Sequence, residues 1–120
     1  MARDEQPAEC IFCRIASGQI PATIVYQDEL VVAFRDVNPQ APTHVLVVPR
    51  KHVPSLNAVS EQDKDSIGRI VRVAAQIAEA EGCADTGYRL VANCGPEAGQ
   101  SVDHVHFHLL AGRSLGWPPG

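Results

Sequence analysis

His104-Val105-His106-Phe107-His108-Leu109-Leu110 places three of the chain's five histidines at every second position. Successive side chains of a β-strand point to opposite faces, so this spacing puts His104, His106 and His108 on one face and Val105, Phe107 and Leu109 on the other. Same-face neighbours on a strand lie about 6.5–7 Å apart, within reach of one phosphate, one metal ion or one another. The plainer alternative is an amphipathic edge strand with a histidine-rich solvent face. Histidine is neither a common solvent-face residue nor a strong strand former, which favours chemistry.

Working outward, Gly95, Gly99, Gln100 and Ser101 precede the histidines, and a glycine loop offering free N–H groups beside a hydroxyl suits an anion. An ordinary glycine turn is the competing reading. Asn93, ending the preceding strand, offers both a donor and an acceptor. Asp36 ends another strand, where its carboxylate either accepts two ribose hydroxyls or caps a turn.

The elements follow from pattern and punctuation. A short helix is expected over Cys10–Ser17, stopped by Gly18, and strands over Ile24–Gln27 and Leu30–Asp36 form a hairpin about Asp28-Glu29. Asn38, Pro39 and Pro42 mark a loop before an apolar strand at His44–Pro49. Ser60 and Asp63 resemble a capping box that opens a long helix with a buried stripe of Ile67, Ile70, Val71, Ala74, Ile77 and Ala78, closed by Gly82. Strands at Tyr88–Asn93 and Val102–Leu110 complete a fold of class α+β, a mainly antiparallel five-stranded sheet with one long and one short helix. One domain is expected over residues 10–120, after a flexible segment at 1–9.

The chain has 120 residues, a formal charge of −4 and only two lysines, which argues against nucleic-acid binding by counterion release. Met1–Glu9 shows neither a signal peptide nor a membrane span, so a cytoplasmic protein with reduced thiols and no membrane partner is expected. Cys10 and Cys13 then read as metal or redox residues. A C-x2-C pair with two distant histidines supplies the ligands of a structural zinc, the alternative being two apolar helix residues. Cys83 and Cys94 read as small fillers.

Thr43-His44-Val45-Leu46-Val47-Val48-Pro49-Arg50-Lys51-His52, followed by Gly99-Gln100-Ser101-Val102-Asp103 and the His104–Leu110 run, resembles the histidine triad (HIT) superfamily and its pattern His-φ-His-φ-His-φ-φ, φ being apolar. Asp36–His44 and the terminal Trp117-Pro118-Pro119-Gly120 are similar to the Hint branch of nucleotide-binding proteins. The resemblance runs from about Cys10 to the last residue. It implies a homodimer in which two five-stranded sheets join and the long helices pack together. It implies that His106 attacks the α-phosphorus of a purine nucleoside phosphoramidate or acyl-nucleotide, flanked by His108 and His104. Asp36 would bind the ribose and Val37 would line the pocket. Asn93, Gly99, Gln100 and Ser101 would hold the phosphate and leaving group, and His44 would support the site. His52 and His104 are the partners it implies for Cys10 and Cys13 around zinc, with no cofactor needed for catalysis.

Imidazole suits nucleophilic and acid–base work near neutral pH, and a covalent nucleotidyl-histidine divides a difficult displacement into two easier steps. Ser101 or a flanking histidine is the candidate proton donor to the leaving amine. A dinucleoside polyphosphate hydrolase or phosphorylase of the same superfamily, or a nucleotide-binding interaction module with little turnover, would use the same residues.

Overall fold

β-Branched residues and alternation build the strands β1 (Ile24–Gln27), β2 (Val31–Arg35), β3 (Thr43–Pro49), β4 (Tyr88–Ala92) and β5 (Phe107–Ala111), with helices α1 (Ile11–Ala16) and α2 (Lys64–Ala80). This computed structural model describes residues 9–120; of the segment expected to be flexible, residues 1–8 lie outside the described residues. The strands form one sheet in the order β1-β2-β3-β5-β4, with every neighbouring pair antiparallel.

Alternation on the central strands sorts side chains between two layers. Val31, Ala33, Val45, Val47 and Leu109 pack against Ile70, Val73, Ala74, Ile77 and Ala78 of α2. From the opposite face Val32, Phe34, Leu46 and Val48 meet Phe12 and Ala16 of α1. Both faces of β2 and β3 are therefore covered, which explains their unbroken apolar sequences. Truncating Ile70 or Leu109 to Ala, each fully buried, costs about 2–5 kcal/mol through lost burial and the cavity left behind.

The Ser60–Asp63 capping box is present, and it opens a single 3-10 turn, Glu61–Asp63, that leads into α2. Asp63 is buried and accepts from Lys51 Nζ at 3.0 Å, so the cap also pins the chain after β3. One stripe residue differs from expectation. Val71 is 52 % exposed, whereas Val73 is 1 % exposed and belongs to the core. Each residue turns a helix by about 100°, which carries Val71 from Ile70 to the stripe's edge while Val73 and Ala74 bracket its centre.

The fifth strand also differs, beginning at Phe107 rather than Val102. Pairing between β3 and β5 ends at Val47 with Phe107, and two residues further it would set Val105 against Pro49, which has no N–H to give. Val105 N–H instead donates to Val53 O at 2.7 Å, and the chain bends through His104. At the other end Gly112, with φ +93°, leaves the sheet against Pro42, where a Cβ would lie 2.8 Å from Pro42 Cβ. Among the described residues no helix is long and apolar enough to cross a membrane.

Candidate active site

His106 and His108 bring two rings to the α1 side of the sheet, with centroids 5.1 Å apart. His106 Nδ1 lies 2.7 Å from His104 O. A carbonyl oxygen only accepts, so His106 carries its proton on Nδ1 and leaves Nε2 with a bare lone pair.

The tautomer of His108 is set by a longer relay. Gln40 N–H donates to His44 Nδ1 at 3.0 Å, which puts the proton of neutral His44 on Nε2. His44 Nε2–H in turn donates to His108 Nδ1 at 2.9 Å, leaving the His108 proton on Nε2. Burial, with the neighbouring His106 and His44 acting in the same direction and Asp36 opposing them, depresses the His108 pKa to about 4. Burial lowers His44 as well, against the charge of Asp36. Both rings are neutral at neutral pH, as the relay requires.

His106 and His108 border a cavity of about 740 Å³. It is lined by Asp36, Val37, Ser101, His106 and His108 together with residues of α1 and the following loop, Phe34 and Leu46. Asp36 accepts Asn38 N–H through Oδ1 and stands 3.4 Å from His44 Nε2 through Oδ2. A cavity with this mixed lining accepts a flat apolar group joined to an anion with hydroxyls.

Two expected phosphate-loop features take another form. Gly95 N–H donates to Gln100 Oε1 at 3.0 Å, Gly99 N–H to Pro96 O, and Gln100 N–H to Gly95 O, so these amides are committed within the loop. Gln100 Nε2 is likewise bound, to Pro54 O and Val102 O. The 3-10 turn Pro96–Ala98 is closed by Gly99 N–H on Pro96 O, and Ser101 and Val102 are the residues after it that reach the cavity. Asn93, Gly99 and Gln100 do not line it.

His104 faces a different cluster. Its Nε2–H donates to Pro49 O at 2.8 Å, turning the bare Nδ1 toward Cys10 Sγ at 3.4 Å, Cys13 Sγ at 3.5 Å and His52 Nδ1 at 3.3 Å. Cys13 Sγ lies 3.3 Å from His52 Nδ1. Around a tetrahedral zinc, with bonds of about 2.0–2.1 Å to nitrogen and 2.3 Å to sulfur, nitrogens are about 3.3 Å apart and nitrogen–sulfur pairs about 3.5 Å. The four donors fit that ion. Asp36, His44 and His108 also converge, but 2.9 Å between two nitrogens is the length of an N–H···N bond and shorter than a tetrahedral edge. Burial, together with the hydrogen bond and charge of Cys10, pushes the Cys13 thiol up to about 12, and burial with the neighbouring His52 and His106 lowers His104 to about 4 against its hydrogen bond to Pro49. Cys10 also caps α1, accepting Cys13 N–H at 3.4 Å.

Sequence reading passed over two parts of this site. Gln40 acts through its main chain, which no side-chain pattern reveals. Phe12, lodged between the cysteines, stands edge-on to His106, and the apolar runs of β2 and β3 were the signal that a second layer had to cover this face.

Known proteins resemble this chain along most of its length. The HIT domain model matches residues 17–115. The chain is 53 % identical over 108 residues to the purine nucleoside phosphoramidase of Escherichia coli K12, covering 90 % of this chain and 91 % of that protein. It is 47 % identical over 119 residues to a 14 kDa zinc-binding protein of Zea mays, covering 98 % and 91 %. A HIT family hydrolase from Legionella pneumophila superposes with a TM-score of 0.91 at 49 % identity, covering 93 % of this chain and all of that one. With the family model matching residues 17–115 and these relatives matching along about nine tenths or more of the chain, the chain belongs to the HIT domain family.

Proposed function

We propose that the protein hydrolyses the P–N bond of purine nucleoside phosphoramidates through a nucleotidyl-histidine intermediate. The observation that carries this reading is the pairing of a bare His106 Nε2 with a protonated His108 Nε2, set by the hydrogen bonds of their Nδ1 atoms beside one cavity. His106 Nε2 attacks the α-phosphorus, the P–N bond to the amine breaks, and its electron pair leaves with the nitrogen, which takes a proton from Ser101 or from solvent through it. His108 Nε2–H meets a non-bridging oxygen as charge builds there. Water then attacks phosphorus and gives its proton back through Ser101, the P–Nε2 bond breaks, and His106 regains its lone pair as the nucleoside monophosphate departs.

Asp36 accepts the ribose hydroxyls and Val37 borders the nucleoside, since both line the cavity. Asn93, Gly99 and Gln100 act through the loop that presents Ser101, and His44 holds His108. Cys10, Cys13, His52 and His104 hold a structural zinc, which ties α1 to the histidine segment; the bond changes above are assigned to His106, His108, Ser101 and water. The protein is a cytoplasmic homodimer in this reading. Val71 on α2 and Tyr88 on the sheet-edge strand β4, both exposed, support the joined-sheet arrangement, and the 85 % exposure of Trp117 supports a role for it in completing a partner's leaving-group side.

The test is turnover of a purine nucleoside phosphoramidate against a dinucleoside polyphosphate on one sample. Preference for the phosphoramidate is expected. Faster turnover of the polyphosphate would assign the site to the other hydrolase class, and negligible turnover of both would make it a binding module.

A further inference from the structure

We infer that Phe12 is a positioning residue for His106, and that the Cys10/Cys13/His52/His104 cluster holds it in place. This rests on the catalytic and zinc readings above and assigns the link between them.

The six residues of α1 are too few to hold a helix in water, where even about 12–15 are marginal, so its place is set by what it touches. Cys10 and Cys13 tie its first turn to the donor atoms of His52 and His104, while Arg50 Nη1 donates to Ala16 O at 2.7 Å and holds its last turn. Phe12 lies between the two cysteines and is buried. Its ring meets His106 edge-on at a centroid distance of 5.1 Å and 76°, His104 at 5.9 Å and 78°, and Phe34 at 5.5 Å and 63°. One aromatic ring thus touches both the cluster's most buried histidine and the nucleophile.

A single hydrogen bond, Nδ1–H to His104 O, lets the His106 ring swing about that axis. Phe12 closes one side of the swing, and His108 stands on another at 5.1 Å. The acceptor of that hydrogen bond belongs to a cluster residue as well: His104 gives its side chain to the cluster and its main-chain oxygen to His106. Two links therefore run from the four-donor cluster to the attacking nitrogen, and Phe12 is the one that substitution can cut. A misplacement of about 1 Å costs on the order of 100-fold in rate, so a packing contact here has leverage on chemistry.

The test compares Phe12→Leu and Phe12→Tyr with the unaltered protein, each loaded with zinc, by ring-nitrogen NMR of His106 without nucleotide and by single-turnover kinetics at saturating phosphoramidate. Phe12→Leu is expected to shift and broaden the His106 ring signals and to slow nucleotidyl transfer about tenfold. Phe12→Tyr, which keeps the ring, should restore both, and stripping zinc from the unaltered protein should reproduce the same His106 signals while it stays folded. If Phe12→Leu raised only KM, with His106 signals and transfer rate unchanged, Phe12 would be a pocket wall and the inference would be wrong. A protein that bound no zinc would overturn the zinc reading and the cluster's part in this one, while the Phe12 comparison would still decide the positioning role.

Discussion

The two histidine clusters at either end of the His104–His108 run are built from the same residue type, yet they are suited to opposite tasks. At one end His104 spends Nε2–H on Pro49 O and turns a bare Nδ1 into a closed set of four donors at tetrahedral distances. At the other, His106 spends Nδ1–H on a carbonyl and His108 receives a proton at Nδ1 from His44, so the Nε2 atoms are a lone pair and a donor bordering an open cavity. Which ring nitrogen is committed to a neighbour decides whether a histidine is suited to hold a metal or to attack phosphorus.

Breaking the open end should have the largest effect. His106→Ala should lower turnover by roughly 10⁴-fold or more, the scale seen when a nucleophile is removed. Nucleotide affinity by calorimetry should stay within a few-fold, because Asp36 and the apolar wall remain. A variant that lost binding in proportion to turnover would make His106 a ligand contact.

Next comes the relay. His44→Phe keeps a ring in the buried space and removes the N–H that fixes His108, so kcat should fall by about 100-fold, the weight of one preorganised donor, with KM little changed. Unaltered kcat would show that the tautomer of His108 does not matter.

Much of this contrast was legible before the fold was known. The histidine spacing assigned faces correctly for His106 and His108, and the C-x2-C pair pointed to the cluster that the geometry assembles with His52 and His104. What period-2 reasoning could not see is that Pro49 denies Val105 a ladder partner, which bends the chain at His104 and lets it serve the cluster by its side chain and His106 by its carbonyl. The loop glycines misled for a related reason: residue type shows that an N–H is available, and only the fold shows that Gln100 and Pro96 have taken it. Val71 was misplaced because a stripe read from apolar spacing has no sharp edge, whereas a helix packed on a sheet does.

Closing off the metal end should act mainly on stability. Removing zinc with a chelator, or substituting Cys13→Ser, should lower Tm by about 10 °C, corresponding to a loss of about 2 kcal/mol in a chain of this size. Differential scanning calorimetry with and without added zinc checks this, and an unchanged Tm would mean that the cluster holds no stabilising ion.

The smallest effect expected is on the pH dependence of stability. His108 and His104 titrate near 4 when folded against 6.5 unfolded, and His44 and His52 are lowered in the same direction. Between those values the unfolded chain takes up protons that the folded chain refuses, so stability is complete above pH 6.5 and declines as pH falls toward about 4. Denaturant titrations of the Cys13→Ser protein, in which metal loss plays no part, should show this decline. It should flatten when His44→Phe is added, and identical slopes would remove the burial argument.

The most direct measurement of the central claim is the mass of the intact protein, quenched within milliseconds of mixing with a purine nucleoside phosphoramidate and then mapped by peptide. The account predicts one added nucleoside monophosphate on His106 and none in the His106→Ala protein. Label on His104 or His108 of the unaltered protein, or normal turnover without His106, would contradict it.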